Sequence, residues 1–147
     1  MNLDTKIPPP IVTIIILSII YLFDLNEYNL NTDIISIITL FIGLIFIISA
    51  VIQFINRKTT VNPTKPHKTS TLVITGTYKI TRNPMYLGML LIIISFALYN
   101  ASIISIILIP LFIFYINKFQ IEPEEFEMRK KFGKEYEDYC KKVDRWI

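Results

Sequence analysis

The sequence predicts an all-α integral membrane protein, with about four transmembrane helices and a cytosolic amphipathic helical tail at the carboxyl end. Three observations carry this. Of 147 residues, 52% are hydrophobic and the mean hydropathy is +0.50, more than a soluble domain of this size needs for its core. Charged residues collect between long uncharged runs rather than within them. The last thirty residues turn polar but keep a helical repeat of apolar positions.

The elements follow in order along one domain. Pro8-Pro9-Pro10 suits a helix start, because first-turn N–H groups lack partners anyway. From Pro10 to Phe23 about 14 residues are apolar, a length that fits a short tilted span, a re-entrant helix or an uncleaved anchor; with no small-residue cleavage site after it, a signal peptide is disfavoured. Ile34 to Ile55 runs 22 residues without a charge, and about 20 suffice to cross roughly 30 Å of hydrocarbon. Residues 1–55 thus form the amino-terminal spans and 56–84 a connecting loop. The uncharged interval from Met85 lasts about 33 residues, until Lys118, which is too long for one crossing and right for a helical hairpin over 85–119. Its turn is expected at Tyr99-Asn100-Ala101-Ser102, with Pro110 kinking the second arm. Residues 120–147 are the tail.

Charge sets the expected orientation. The 56–84 loop carries Arg57, Lys58, Lys65, Lys68, Lys79 and Arg82 and no acid, whereas 24–33 carries Asp24, Glu27 and Asp33 and no base. The positive-inside rule puts the basic loop in the cytoplasm, and an even number of spans puts both termini there with it. The net charge of +3 fits anionic lipid headgroups better than nucleic acid. No metal site is expected, since His67 stands alone, and Cys140 is the sole cysteine. The only glycines, Gly43, Gly76, Gly88 and Gly133, form neither a dinucleotide fingerprint nor a P-loop. Gly43, within a span, reads as a close helix contact, and Gln53 and Asn56 close that span at headgroup depth.

In the tail, Phe132, Tyr136, Tyr139 and Val143 step by 4, 3 and 4 as one stripe of a helix, with Glu127–Lys131, Glu137–Lys141 and Asp138–Lys142 paired on other faces. Running the stripe backwards reaches Glu124 and Glu125, so a carboxylate points where apolar residues point. Helix-dipole stabilisation near a start at Pro123 is one explanation; a partner across the fold is the other. The partner is expected in Gly76-Thr77-Tyr78…Arg82-Asn83-Pro84-Met85-Tyr86-Leu87-Gly88. Here Gly76 permits a turn, Arg82 is a fixed cation, Asn83 is held out of the helical region by Pro84, Pro84 starts the third span, Tyr78 and Tyr86 offer ring faces, and Gly88 leaves room for a ligand or another helix. Singly, each suits a membrane-interface belt; together, facing an acidic helix, they suit a cleft for a small charged ligand.

These two motifs, in this order and separated by a hydrophobic hairpin, with Phe132-Gly133…Tyr136…Tyr139…Val143-Asp144-Arg145-Trp146 at the end, resemble the isoprenylcysteine carboxyl methyltransferase and phospholipid methyltransferase superfamily. The resemblance covers about residues 70–147, and departs in Asn83 and Thr77, where members often carry His and Pro. It implies a membrane enzyme using S-adenosylmethionine, with Gly76, Tyr78, Arg82, Asn83, Pro84, Tyr86, Gly88 and Glu125 at the cofactor and Arg82, Glu124, Glu125 and Arg145 at the chemistry. The acceptor it implies is a lipophilic one: an isoprenylcysteine-like carboxylate, slightly ahead, needing only an orienting arginine, or a phospholipid amine, needing Glu124 or Glu125 as base. Two rivals stand beside it, a nicotinamide-dependent sterol-type reductase and a non-enzymatic membrane scaffold.

Overall fold

A computed structural model describes residues 7–23, 30–56 and 71–147. Among them the chain is helical throughout, with no strand: α1 (Pro9–Leu22), α2 (Leu30–Asn56), a 3₁₀ turn (Gly76–Lys79), α3 (Pro84–Tyr99), α4 (Ser105–Ile116), a π turn (Asn117–Ile121), α5 (Glu122–Phe132) and α6 (Lys134–Cys140). The loop and connection charges Asp24, Glu27, Arg57, Lys58, Lys65 and Lys68, together with His67, lie outside the described residues.

Two helical segments are long and apolar enough to cross a membrane, Asp33–Asn56 and the continuous rod Ser105–Phe132. The rod is uncharged only as far as Asn117; Lys118 then pairs with Glu122 (2.8 Å), and α5 carries Glu122, Glu124, Glu125, Glu127, Arg129, Lys130 and Lys131. At 1.5 Å per residue, α1 with 14 residues and α3 with 16 reach only about 21 and 24 Å. Four full crossings are therefore more than helix length alone supports.

The hairpin is where its sequence put it. Asn100 ends α3 with its side-chain amide donating to the Phe96 carbonyl (2.8 Å), and Ala101 takes a positive φ of 45°. Proline at the start of α1 and of α3 fills positions where a missing N–H does no harm. Helix α3 lies centrally against α2, α1 and α4, and its closest approach is to α2: a Cβ added to Gly88 would lie 2.6 Å from the Gly43 carbonyl oxygen, and one on Gly43 would lie 2.8 Å from that of Gly88. Ser95 adds a hydrogen bond from its hydroxyl to the Ser36 carbonyl (2.7 Å) across the same pair. The core gathers Ile16 and Ile20 of α1, Tyr86, Leu90, Ile93 and Ala97 of α3, Leu108, Phe112 and Ile116 of α4, and Ile121. The outward faces are just as apolar: Ile34, Phe41, Ile45 and Ile55 of α2 are 52 to 65% exposed, and Ile106 and Ile107 of α4 about 70%. Such a surface suits lipid tails better than water.

The tail departs from expectation. Its apolar stripe is split between two helices, because Gly133 adopts φ 50°, a left-handed conformation that interrupts the helix between Phe132 and Lys134. Tyr136 and Tyr139 are buried as expected, while Phe132 and Val143 are only half-buried. Among the expected surface pairs, Asp138 bonds Lys141 (3.0 Å) one residue earlier than Lys142.

Candidate functional site

One end of the bundle collects the polar chemistry. The start of α1, the end of α2, the start of α3 and the end of α4 meet there, since Gln120 Nε2 donates to the Ile7 carbonyl (3.0 Å) and Thr75 Oγ1 to Gln53 Oε1 (2.8 Å). The 3₁₀ turn is wedged against α2: Gly76 has φ 60°, and a Cβ there would stand 2.4 Å from Gln53 Nε2, so both the backbone and the space demand glycine. Tyr78 is buried with its ring edge-on to Phe54 (centroids 5.6 Å).

Thr81, Arg82 and Asn83 then grip the carboxyl-terminal residues through their backbone. The Arg82 N–H donates to the Asp144 carbonyl (2.9 Å), and Arg82 Nη1 to those of Cys140 and Val143 (3.1 Å each). The Thr81 hydroxyl (3.1 Å) and Asn83 Nδ2 (2.8 Å) both donate to the Arg145 carbonyl. Asn83 sits at φ −128°, ψ 56°, outside the helical region as its following proline requires. Tyr139 donates its hydroxyl to the Tyr78 carbonyl (2.6 Å), and Trp146 Nε1 to Asn117 Oδ1 (3.0 Å).

At the centre stands Glu125. Its Oε1 accepts from Arg82 Nη2 (2.9 Å) and Arg145 Nε (3.1 Å), and its Oε2 from Arg145 Nη2 (2.8 Å), the last two forming a bidentate fork. One turn face away, Tyr86 donates its hydroxyl to Glu124 Oε1 at 2.5 Å. The helix-dipole explanation of these two acids fails, because α5 has no free amino end: Ile121 is itself helical (φ −68°, ψ −48°) and the rod runs through it from α4. The π turn ahead of Pro123 makes that continuity possible, since it widens the helix where the proline ring and its missing N–H would break an α-helical ladder. Both acids have partners instead, in α3 and at the chain end.

Both carboxyls stand beyond the apolar part of the rod. Burial would raise that of Glu125, but the hydrogen bonds and charge of Arg145, then those of Arg82, override it and hold the group below the usual value. Burial pushes Glu124 up to about 8; the Tyr86 hydrogen bond opposes this, and the neighbouring Glu125 charge adds to it. The hydrogen bond to Glu125 raises Arg145, and burial raises the hydroxyls of Tyr78, Tyr136 and Tyr139.

Of the residues expected at the site, Arg82, Asn83, Tyr86, Glu124, Glu125 and Arg145 come together, with Pro84 buried at the first turn of α3 beside them. Gly76 and Gly88 do not: the first meets Gln53 and the second Gly43, so these two shape the backbone around the site. Tyr78 is reached through its carbonyl, by Tyr139. Thr81, fully buried, was not singled out in the sequence, and Gln120, Asn117 and Trp146 carried no signal of their partners.

The residues suit S-adenosylmethionine. Two guanidiniums face one ionised carboxylate, leaving the cluster a cation in excess for the methionyl carboxylate, and Arg82 Nε is a buried donor with no partner among the described residues. Glu124 provides an acceptor for an ammonium or ribose hydroxyl. Among the described residues no group of three metal-ligating side chains gathers.

A family model described as phospholipid methyltransferase matches residues 32–135. An uncharacterized protein of Haemophilus influenzae is 41% identical over 63 residues, which are 43% of this chain and all of that protein. No solved structure matches the chain.

Proposed function

The chain belongs to the phospholipid methyltransferase family, and on that premise we propose that it methylates the headgroup amine of a membrane phospholipid, using S-adenosylmethionine. The observation that carries the proposal is the meeting of Arg82 and Tyr86, from the start of α3, with Glu125 and Glu124, from the end of the rod. Arg82 and Arg145 would hold the methionyl carboxylate of the cofactor, and Glu125 fixes both guanidiniums in place. The bound cofactor supplies an already activated methyl group, so the protein has to align, dehydrate and take up one proton.

That proton favours an amine acceptor over the isoprenylcysteine-like carboxylate. A carboxylate can act as a nucleophile without losing a proton, whereas a headgroup ammonium must give one up before its nitrogen has a lone pair to offer the methyl group that bound S-adenosylmethionine would supply. Glu124, held near 8, is a stronger base than an ordinary glutamate and is hydrogen-bonded by Tyr86 on one oxygen. The exposed isoleucine faces of α2 and α4 support placing the bundle in the bilayer, with α1 and α3 packed among the longer helices, and the acid-free basic segment 56–84 that leads into the site supports a site end at the cytoplasmic headgroups.

Calorimetry of S-adenosylmethionine on detergent-purified protein tests this, together with transfer of a labelled methyl group into phosphatidylethanolamine. The expected result is saturable binding, unaffected by a nicotinamide dinucleotide, and lipid labelling. In Glu125→Gln, affinity should fall at least tenfold and the melting temperature should drop as well, because the largely buried Arg82 and the one-third-exposed Arg145 lose their carboxylate, a break that costs about 3 kcal/mol for a fully buried pair and less where solvent screens it. A folded protein that binds no S-adenosylmethionine but binds the dinucleotide points to a reductase, and one that binds neither points to a scaffold.

A further inference from the structure

We propose that Gln120 is a specificity-determining residue: its side-chain carbonyl, buried in the π turn one helical turn below Glu124, takes an N–H of the methyl acceptor. This rests on the methyltransferase reading and decides which acceptors it admits.

The argument starts from an atom without a partner. Gln120 is fully buried, between Ile116 and Ile121 of the apolar core. Its amide nitrogen donates to the Ile7 carbonyl, which fixes the orientation of the group and leaves Oε1 with no hydrogen bond among the described residues. A buried amide carbonyl left unpaired is costly and uncommon, and any apolar residue of similar size would fill the place without that cost.

The backbone is built around this residue. The buried face of the rod runs through Ser105, Leu108, Phe112 and Ile116 in steps of 3, 4 and 4, then takes one step of five to Ile121 and four to Glu125. The step of five is the π turn, and it lets Gln120 and Ile121 be buried side by side. One-residue insertions of this kind concentrate at functional sites. Ile121, the chain neighbour of Gln120, packs in the cluster that holds Tyr86, the partner of Glu124.

Chemistry then names the ligand. A carbonyl oxygen binds a donor hydrogen, so it recognises an amine and not a carboxylate or a fully methylated ammonium.

The test compares wild type with Gln120→Leu, and with Gln120→Met should the leucine variant fold poorly. Lipid retention is read by native mass spectrometry from nanodiscs containing equal phosphatidylethanolamine and phosphatidylcholine, without cofactor. In parallel, KM for phosphatidylethanolamine and calorimetric affinity for S-adenosylmethionine are measured. Wild type should prefer phosphatidylethanolamine; the variant should lose that preference and show KM raised about tenfold, with cofactor affinity within twofold. An unchanged preference and KM in the variant, or cofactor affinity falling in step, makes Gln120 a packing residue and overturns the inference while leaving the methyltransferase reading intact. If wild type transfers no methyl group to phosphatidylethanolamine, both fall together.

Discussion

Glu124 and Glu125 are chain neighbours with opposite assignments, and the environment alone separates them. Glu125 is held ionised by two arginines, while Glu124 is kept protonated by burial and the charge beside it. The linkage follows from the sign of each shift. The folded value for Glu124 lies above its unfolded one, near 4.5, so its contribution to stability is full below that pH and is lost as pH rises towards 8. Glu125 behaves in the opposite sense and weakens the fold as pH falls through the carboxylate range. Methyl transfer to an amine should therefore rise with pH through about 8 while the ligand-free protein becomes easier to melt. Glu124→Gln should remove the alkaline loss of stability, and most of the activity with it. Melting curves and initial rates from pH 6 to 9 check both, and a stability profile unchanged in the variant would mean that Glu124 is not the titrating group. The sequence revealed that one of the two acids faced inward. It did not reveal that Arg82 and Arg145 would both meet Glu125 and that Glu124 would meet Tyr86, because these arginines lie 43 and 20 residues from Glu125 and only the fold brings them in.

Among the elements, the hairpin and the long α2 were legible because hydropathy and turn chemistry act locally. The tail was less so. A periodic stripe through Phe132, Tyr136, Tyr139 and Val143 fits one helix, and the stripe survives in burial, but a single backbone angle at Gly133 divides it. The grip of Thr81, Arg82 and Asn83 on the last residues was hidden for another reason: its acceptors are main-chain carbonyls of Cys140, Val143, Asp144 and Arg145, and a carbonyl leaves no trace in residue identity. Glycine usage was half legible. Gly43 read as a packing residue and is one, while Gly88, read as room for a ligand or a helix, turns out to be the other side of the same contact. Gly88→Ala should thus act on the α2–α3 pair. Helix propensity would gain about 1 kcal/mol from alanine, but a methyl group 2.6 Å from the Gly43 carbonyl oxygen forces rigid backbones apart, an overpacking penalty of about 1–3 kcal/mol. We expect a lower melting temperature in detergent with little change in the affinity of cofactor for the molecules that remain folded. A variant as stable as wild type would show the two helices free to separate.

On the scale of the whole molecule, polarity is sorted along one axis. Apolar side chains cover both the interior and the outer surface of α2 and α4, while Arg82, Glu124, Glu125, Arg145 and the hydrogen-bonded chain end gather where those helices stop. A solvent with an apolar interior and a polar edge matches that sorting, and on the proposed reading the chemistry would lie at the depth of lipid headgroups. Trp146 reports on the placement, because it is the only tryptophan. It is half-buried against the core, with its indole N–H on Asn117, at the last turn before the rod becomes charged. In bilayers, its fluorescence should be quenched more by lipids brominated next to the headgroup than by lipids brominated at the chain ends. Equal quenching by both would place the site end too deep for a headgroup to enter from the edge. Absence of quenching by either would remove the membrane from the argument, leaving the exposed isoleucines to be covered by protein instead. The graded result is the one that lets a lipid stay in its leaflet while its amine reaches Glu124.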